Sequence, residues 1–415
     1  MSSRPTAPHL ADLQLRYATA ERSEEFLAAV VRGFYDDYQA EHWGPGRAVF
    51  EPERSFGFTV DDRWVTTCGA YSRRLTVPGG EVAAAAVSCV TVNPSYRRRG
   101  LLRQMMTHQL TDIAERGEEP VAYLWASEAS IYGRFGYGES GPKLRLTGRT
   151  PATAFRPDVD LGGGSVGEVE QDTYRLIAPG LHAGWLPDRP GGLDRTERWW
   201  DTALHDPENR RDGASAQRFA LHYAADGTPD GYLTFRVKDL GDFEEVRVLE
   251  LDAAEPAAYA GLWRFALDLD LVRTFVRGAA PVEDPLRILL ADNREVRTEL
   301  SDGTYVRIID VVRALEARCY AVDIDVVIGI VDTVLPANSG TFRVQGGPDG
   351  AEVRRVTRDP DLTLDIRELG AIYLGGVPLG LLQRAGLATE RTTGAIAAIT
   401  AGFAWSRLPF CPDFF

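Results

Sequence analysis

Cysteine is scarce in this chain of 415 residues, and its few copies lie far apart. They are Cys68, Cys89, Cys319 and Cys411, so no CxxC motif occurs. A disulfide framework or a cysteine-based metal site normally shows paired, closely spaced cysteines. We therefore expect reduced thiols in a cytoplasmic protein.

Histidine clusters, long apolar runs and a secretion signal are missing as well. The six histidines are scattered and form no HxH, HxxxH or HExxH motif, so we expect no metal site. No apolar run approaches the roughly 20 residues that cross a bilayer, so we expect no membrane span. Residues 1–14 lack the apolar core of a signal peptide, which also favours a cytoplasmic location.

Positive charge is in deficit, because 46 lysines and arginines face 60 aspartates and glutamates. The net charge of −14 argues against a nucleic-acid partner, since such surfaces are usually basic. The need to keep the protein soluble explains most of the net negative charge. The charge is weaker support for a cationic substrate. Apolar residues make up 44% of the chain, enough for the cores of about two to four domains.

The order of predicted elements divides the chain into three parts. Residues 1–150 predict the order β-α-α-β-β-β-α-β-α-β, a mixed α/β layer. In residues 151–297 the strand-helix-strand order of residues 85–125 recurs near 245–277, but without its arginines and glycine. We interpret the second part as a repeated unit that lacks the phosphate site described below.

The third part, residues 298–415, predicts a compact α+β unit. A helix is expected over residues 306–318, followed by a strand and by a hairpin whose turn is Pro348-Asp349-Gly350. A further strand and two apolar helices, near 378–387 and 389–402, are predicted after it. The chain closes with the aromatic, proline-rich segment WSRLPFCPDFF.

The most informative segment is VSCVTVNPSYRRRGLLRQMM, residues 87–106. A β-branched run stops at Pro94, and the three arginines Arg97–Arg99 and then Gly100 precede an amphipathic helix. A helix N-terminus attracts anions, glycine lets a phosphate approach the backbone, and arginines add charge-assisted contacts. A solvated face or a nucleic-acid patch is the alternative, but neither needs this coupled strand, turn and helix. The segment therefore predicts a pyrophosphate site.

Two other features are less informative. GYGESG, residues 136–141, spells GxGxxG, but it follows a short helix and leads into a strand. A dinucleotide site needs that motif between a strand and a helix, so we reject it. Trp199 and Trp200 lie in a helical context, and we expect them to pack in a core.

The arginine segment also resembles a known family. V-x-P-x-x-R-R-x-G at 92–100 resembles the acetyl-CoA loop of the GNAT acetyltransferases. RRRGLLR at 97–103 and WASEASIYGRFGYG at 125–138 are similar to motifs of the bacterial Eis (enhanced intracellular survival) branch. Leu102 replaces the small residue usual in other GNAT enzymes, which agrees with that branch.

The resemblance implies a mixed α/β (α+β) fold built from two GNAT-like acyltransferase units in tandem plus a sterol-carrier-protein-like unit. Residues 1–150 would hold the acetyl-CoA site and 151–297 a degenerate copy. Residues 298–415 would form the sterol-carrier-like unit, whose tail would reach the active site. A homohexamer is implied as well.

The resemblance implies that acetyl-CoA is the acetyl donor and that a strand end, a helix start and a second strand end hold it. Strand residues would pair with the pantetheine amides, and the arginine segment would hold the pyrophosphate. From the residues alone, only Arg97–Arg103 are supported as a phosphate site. The implied cofactor residues are Val90, Thr91, Val92, Arg97, Arg98, Arg99, Gly100, Leu101, Leu102, Arg103, Ser127 and Glu128.

Two residues are candidates for the chemistry. Tyr132 can protonate a departing thiolate, although simple packing explains its position equally well until the resemblance is considered. By resemblance, the base would be the terminal carboxylate, here that of Phe415. An α-carboxylate has a pKa of about 3.5, so we expect relay through water or electrostatic help. A frayed terminus is the alternative for the tail.

The acceptor is expected to meet carboxylates and aromatic rings. Asp36, Asp37 and Trp43 follow the first helix and could hold a polyamine, although an exposed acidic helix end is the simpler interpretation. The resemblance implies transfer of acetyl to several amines of a polycationic small molecule of the aminoglycoside type. A peptide or protein lysine acetyltransferase, or a non-catalytic sensor of acyl-CoA or lipid, stays open as an alternative.

Overall fold

The structure is a computed structural model that describes residues 13–415. Its first part is an α/β layer in which a long helix follows two long antiparallel strands. The elements are β1 Gln14–Tyr17, α1 Ser23–Gly33, α2 Ala40–Trp43, β2 Phe56–Val60, β3 Arg63–Trp64, β4 Thr66–Val77, β5 Gly80–Val92, α3 Leu101–Arg116, β6 Val121–Trp125, α4 Ala129–Tyr132 and β7 Gly138–Arg149.

The second part repeats the strand-helix-strand order. Its elements are β8 Ser165–Val169, α5 Gln171–Trp185, α6 Glu197–Ala203, β9 Arg218–Tyr223, β10 Pro229–Asp239, β11 Glu244–Ala253, α7 Pro256–Leu267, β12 Val272–Ala280, α8 Leu286–Leu289 and β13 Val296–Ile308. Helix α5 was not predicted from the sequence, whereas α6 contains Trp199 and Trp200, which were expected to lie in a helical context.

The third part is an α+β unit. Its elements are α9 Val311–Glu316, β14 Ile324–Val331, β15 Gly340–Gly347, β16 Gly350–Val356, β17 Leu362–Asp365, α10 Ile366–Ile372, α11 Leu379–Arg384, β18 Ala388–Glu390 and α12 Ala395–Phe403. The predicted hairpin at Pro348-Asp349-Gly350 is confirmed, since β15 and β16 pair around it. The helix expected at 389–402 is shorter, because its first residues form β18 and only Ala395–Phe403 are helical.

Helix α3 forms where the sequence predicts it. Gly100 precedes it and Gly117 ends it, both with positive φ, which glycine adopts at little cost. The buried face includes Met105, Met106 and Leu110. Each such side chain stabilises the fold by about 1.5–3 kcal/mol on burial. This face fixes the direction in which the helix start points.

One sheet runs through the first two parts of the molecule. Its strand order is β1-β2-β4-β5-β6-β13-β7-β12-β11-β10-β9-β8, with β3 paired to β2. A separate sheet in the third part has the order β16-β15-β14-β17-β18. Strand β13 lies between β6 and β7, so the end of the second part completes the sheet of the first.

Strand β13 corrects one prediction. The helix expected over residues 306–318 is wrong for its first part, because β13 continues to Ile308 and α9 begins only at Val311. Val306 pairs with β6 on one side and with β7 on the other. Residues 303–308 are all buried, so they show no alternation of inward and outward side chains, and periodicity cannot distinguish such a segment from a helix. The predicted domain boundary at 297/298 falls within this strand.

Parallel pairing is short at two equivalent places, and a crevice follows each. Strands β5 and β6 pair only at Ala84–Ala86, after which they diverge. In the second part β11 and β12 pair over Glu244–Val248 and then diverge in the same way. In open α/β sheets, ligands bind at the carboxyl ends of diverging strands. The fold therefore offers one crevice in each of the two parts.

All four cysteines are free thiols, and Cys68, Cys89 and Cys411 are buried. None of the helices within residues 13–415 has both the length and the apolar character that crossing a bilayer requires.

Candidate active site

At the start of α3 there is room for a ligand beside Gly100, and backbone N–H groups point into this space without a side-chain acceptor. Gly100 adopts φ 81° there, and no side chain caps the helix, so the first amide N–H groups lack an intrahelical acceptor. A Cβ built on Gly100 would meet no atom within 4 Å. An anion at this point would be held by the N–H groups and by the helix dipole. The residues present therefore fit a phosphate.

The arginines of this joint differ in their surroundings. Arg97 Nε donates to the Val92 carbonyl oxygen over 3.2 Å, and its guanidinium lies 5.5 Å from the Tyr35 ring centroid. Arg99 lies over the Tyr96 ring at 5.8 Å. Arg98 is exposed and has φ 61°, a conformation that costs a non-glycine residue about 1–2 kcal/mol. Strain of this kind is typical of functional loops.

A groove of about 600 Å³ runs from the end of β5 along the start of α3 to the residues after β6. We call it the cofactor groove. Apart from Arg99, every cofactor residue implied by the resemblance lines it. Those lining residues are Val90, Thr91, Val92, Arg97, Arg98, Gly100, Leu101, Leu102, Arg103, Ser127 and Glu128.

A β-bulge lies where this groove passes the end of β5. The register between β4 and β5 shifts between Thr67 and Gly69, and Cys89 has φ 59°. The carbonyl oxygen of Cys89 accepts a hydrogen bond from the Thr67 hydroxyl over 2.7 Å. A bulge bends a strand and turns a peptide group out of its ladder. Because β6 has already diverged, the edge of β5 that carries Val90 faces the groove.

A second cavity of about 600 Å³ adjoins the cofactor groove, and we call it the acceptor cavity. Both are lined by Phe34, Val90, Ser127 and Tyr132, so they meet at these residues. The wall of the acceptor cavity is aromatic. Its large aromatic side chains are Phe34, Trp43, Tyr71, Trp125, Tyr132, Trp199, Phe414 and Phe415.

Tyr132 lies at the junction of the two cavities and is 4% exposed. Its ring packs edge-on against Tyr137, with the ring centroids 5.8 Å apart. Burial raises the pKa of Tyr132 above its ordinary value of 10.0, the Cys68 thiol adds to the rise, and Ser127 opposes it. The phenol therefore keeps its proton at neutral pH, and it lies where the two cavities meet.

The C-terminal segment is held against the first two parts of the molecule. Trp125 Nε1 donates to the carbonyl oxygen of Asp413 over 2.6 Å, and Arg195 Nε donates to the Asp413 carboxylate over 2.7 Å. Phe415 stacks on Tyr123 with ring centroids 6.1 Å apart. These contacts place Phe415 on the wall of the acceptor cavity.

The predicted acceptor residues are only partly brought together. Asp36 and Trp43 line the acceptor cavity, whereas Asp37 is exposed and lies outside its wall. Trp200 packs in a core as expected, but the same expectation is wrong for Trp199. Trp199 lines the acceptor cavity and lies 5.1 Å from the ring of Tyr71.

The second part of the chain contributes further residues that the sequence did not suggest. Thr202, His205 and Arg210 line the acceptor cavity from α6 and the segment after it. Helix α6 is short and its role depends on packing against residues 44–48 of the first part, a contact between distant segments. The only local signal was the Trp199-Trp200 pair, because aromatic residues at a wall and in a core look alike in sequence.

Comparison with protein families defines the class of this molecule. Residues 14–140 and residues 191–308 each match a family described as acetyltransferase (GNAT) domain. Residues 311–412 match the sterol carrier protein domain. The chain is an N-acetyltransferase of the GNAT type, with two GNAT units in tandem and a sterol-carrier-like unit.

Comparison with individual proteins identifies the family within this class. An uncharacterized N-acetyltransferase of Streptomyces avermitilis is 39% identical over 89% of this chain and 91% of its own length. N-acetyltransferase Eis of Mycobacterium tuberculosis is 36% identical over 80% of this chain and 81% of its own. Crystalline Eis1 of Mycobacterium abscessus superimposes with a TM-score of 0.83 at 32% identity, over 97% of this chain and 100% of that one. The chain belongs to the Eis family of GNAT N-acetyltransferases, which confirms the family and the fold class expected from the sequence.

Proposed function

We propose that this protein transfers the acetyl group of acetyl-CoA to amines of a polycationic small molecule of the aminoglycoside type. The observation that carries the proposal is the junction at Tyr132, where the cofactor groove and the acceptor cavity meet. A thioester carbonyl at the end of the groove would then face an amine in the cavity. Acetyl transfer follows from the class of enzyme, and the two cavities support the proposed acetyl donor and amine acceptor.

The groove residues have separate tasks in this proposal. Acetyl-CoA supplies a thioester when it is bound. The N–H groups at the start of α3, with Arg98 and Arg103, hold the pyrophosphate, and the open edge of β5 near Val90 pairs with the pantetheine arm. Peptide N–H groups at the bulge polarise the thioester carbonyl. Tyr132 donates its proton to the departing thiolate.

The acceptor cavity suits ammonium groups because aromatic faces and carboxylates attract cations. Trp43 supplies an aromatic ring and Asp36 a negative charge at the wall. Trp199 and Trp125 also line it, but Arg73 already lies 4.1 Å from the Trp199 ring centroid and Lys143 4.6 Å from that of Trp125. Arg210 opposes this preference at one side. The chain's net charge of −14 favours the approach of a polycation from solution.

The amine must lose a proton before it attacks. A lysine-like amine has a pKa of about 10.4, so the neutral form costs about 4.6 kcal/mol at pH 7. The carboxylate of Phe415, on the wall of the acceptor cavity, would accept this proton through a water molecule. Stacking of Phe415 on Tyr123 supports a fixed position for that carboxylate.

Release of free CoA thiol tests the proposal directly. Acetyl-CoA is mixed with the protein and with one of three acceptor sets: aminoglycosides, lysine-containing peptides, or none. Thiol release that requires an aminoglycoside is expected, and mass spectrometry should show more than one added acetyl group.

The other outcomes separate the alternatives. Turnover with peptides alone would make the protein a peptide or protein lysine acetyltransferase. Tight binding of acetyl-CoA without turnover of any acceptor would favour a sensor of acyl-CoA, and both results would contradict the proposal. The cytoplasmic location and the hexamer implied by the resemblance stay predictions, and size-exclusion chromatography with light scattering checks the second of these.

A further inference from the structure

The second GNAT unit contains a cavity at the position that corresponds to the cofactor groove of the first. It lies where β11 and β12 diverge and where α7 begins, and its volume is about 460 Å³. Residues Glu250–Pro256 line one side, and Pro281–Pro285 contribute to the other. We call it the second cavity. Its place in the fold marks it as a ligand site by the same topology that places the first.

The entry to α7 cannot hold a pyrophosphate. Where the first unit has arginines and Gly100, the second has Ala254, Glu255 and then Pro256 at the first helical position. Proline lacks the N–H donor, and the Glu255 carboxylate repels a phosphate at the point where one would dock. The occupant of the second cavity is therefore not a CoA ester.

Two polar side chains on the wall of the cavity, Arg189 and His182, have buried nitrogen atoms without a hydrogen-bond partner in the described residues. The Arg189 side chain is 12% exposed, and within residues 13–415 its only ion pair shorter than 4 Å is with Glu283, at 3.8 Å. Its Nε and Nη1 atoms are buried without a hydrogen-bond partner there. Nε2 of His182, a residue only 4% exposed, is likewise unpaired in the described part of the chain. Buried polar atoms normally have partners, so these positions call for a ligand or water.

An opposite charge faces these donors. The carboxylate of Asp252 accepts a hydrogen bond from its neighbouring Ala253 N–H over 3.0 Å, and no ion pair holds it within the described residues. Burial raises the pKa of Asp252, and the charges of Arg189 and Arg277 oppose the rise. Arg277 is itself paired with Asp284 at 2.6 Å. Arg189 and Asp252 thus supply one anion-binding and one cation-binding group on this wall, and Arg407 and Glu255 line the cavity beside them without an ion pair in the described residues.

The remaining wall is largely apolar. Trp185, Leu186 and Tyr259 line the cavity from the second unit, and Phe410 and Pro412 close it from the C-terminal segment. A pocket of this size with apolar walls and a few fixed charges suits a small organic ligand. Because available charges of both signs lie on this wall, they favour a ligand that carries both an anionic and a cationic group.

We propose that the second cavity binds an amphoteric small molecule, namely an α-amino acid or dipeptide with an aromatic or aliphatic side chain. Its carboxylate pairs with Arg189, its ammonium group pairs with Asp252, and its side chain packs against Trp185, Tyr259 and Phe410. An ion pair on each side satisfies groups that are otherwise buried at a cost.

The occupant would contact a network that extends to the tail. Glu250 lines the second cavity, and its carboxylate accepts hydrogen bonds from the Tyr232 hydroxyl and from Arg195 over 2.5 and 3.1 Å. Arg195 also holds Asp413, two residues before Phe415. Binding should therefore alter turnover in the first unit, an inference that rests on the proposed role of the tail.

Calorimetric titration of the full chain with L-phenylalanine tests the site, with 2-phenylethylamine and 3-phenylpropionate as single-charge analogues. We expect a dissociation constant of about 1 mM or tighter for phenylalanine. Each analogue should bind at least tenfold more weakly. The Asp252→Asn and Arg189→Gln variants should each lose at least tenfold in phenylalanine affinity. Asp268→Asn, a matched change at the far end of α7, should bind phenylalanine normally.

Several results would overturn the site. They are no binding of phenylalanine, binding that the Asp252→Asn and Arg189→Gln changes leave intact, and equal binding of either analogue. If a variant fails to fold, wild-type crystals soaked with 4-iodo-L-phenylalanine decide, and anomalous density away from the second cavity would refute the assignment.

Kinetic measurements test separately whether a ligand bound in the second cavity affects acetyl transfer through the tail. Phenylalanine should change KM or kcat for acetyl transfer at least twofold in the wild-type protein, but not in Asp252→Asn. Bound phenylalanine with unchanged kinetics would overturn the link. Absence of acetyl transfer itself would overturn the proposed function, because calorimetry measures the second cavity independently.

Discussion

Tyr132 lines both the cofactor groove and the acceptor cavity, and the proposed chemistry depends on this residue. Replacing it with phenylalanine removes only the hydroxyl group and keeps the ring that packs against Tyr137. We expect Tyr132→Phe to lower kcat by about 100-fold or more, the usual range for loss of a general acid, with acetyl-CoA affinity changed less than twofold.

Tyr137→Phe is the matched control for this change. The Tyr137 hydroxyl is buried without a partner in the described residues, and Tyr137 lines neither cavity. Its removal should leave kcat within about twofold and stability unchanged or slightly higher. Equal activity of the two variants in the thiol-release assay would contradict the role of Tyr132.

The raised pKa of Tyr132 makes a prediction about pH. Burial lifts it above the ordinary value of 10.0, so the phenol stays protonated throughout the range in which acceptor amines become neutral. The rate should therefore rise with pH as the amine loses its proton, and it should show no descending limb below about pH 10. A descending limb in kcat at lower pH, seen in wild type but not in Tyr132→Phe, would contradict this.

At the scale of elements, the start of α3 is the feature that the sequence predicts best. The strand, turn, glycine and amphipathic helix are neighbours in the sequence and depend on nearby residues. The boundaries at Gly100 and Gly117 could therefore be derived from residue types alone. Strand β13 could not, because its pairing with β6 and β7 depends on residues that are 148 to 187 positions away in the chain. The same limit explains Trp199, whose neighbour Tyr71 lies in β4 of the first unit.

The helix start leads to a prediction about cofactor affinity. Arg98→Ala removes an exposed charge beside the open N–H groups. A hydrogen bond to a charged group contributes about 1.5–3 kcal/mol, so the dissociation constant for acetyl-CoA should rise by about 10- to 150-fold. Calorimetry measures the change, and the affinity of the wild type should also fall as salt is added.

Arg116→Ala is a matched control at the other end of the same helix. Arg116 pairs with Asp112 and lies outside the cofactor groove. Its loss should leave acetyl-CoA affinity within about twofold. If both variants bind the cofactor as tightly as the wild type, the pyrophosphate does not dock at α3.

The whole molecule depends on contacts between its three parts. Arg307 at the end of β13 and Asp332 after β14 form an ion pair with both side chains fully buried, and Asn338 donates to the same carboxylate over 3.1 Å. Asp332→Ala leaves the Arg307 charge buried without a partner. We expect it to lower the free energy of unfolding by about 3–5 kcal/mol.

Urea unfolding measures this loss, with Asp325→Ala as the control. Asp325 pairs with Arg343 on the surface of the same sheet, and such pairs are worth about 0–1 kcal/mol. Equal destabilisation by the two changes would show that the buried pair does not join the parts.

The C-terminal tail also joins parts of the molecule, because it connects the third part to the acceptor cavity. Deleting Phe415 should lower kcat by about 100-fold while acetyl-CoA affinity stays within twofold, since the cofactor groove lies apart from the tail. The shortened chain ends in the carboxylate of Phe414, so full activity of the deletion variant would show that proton removal does not need the carboxylate at the Phe415 position. The aromatic ending of the chain was visible in the sequence, but its anchors Trp125 and Arg195 were not, because they lie in other units.

Diffraction from crystals grown with CoA would locate the bound cofactor. We expect electron density for the diphosphate within hydrogen-bonding distance of the first backbone N–H groups of α3, with the sulfur pointing towards Tyr132. Density for the cofactor in the second cavity, or anywhere else than at Gly100, would contradict this expectation.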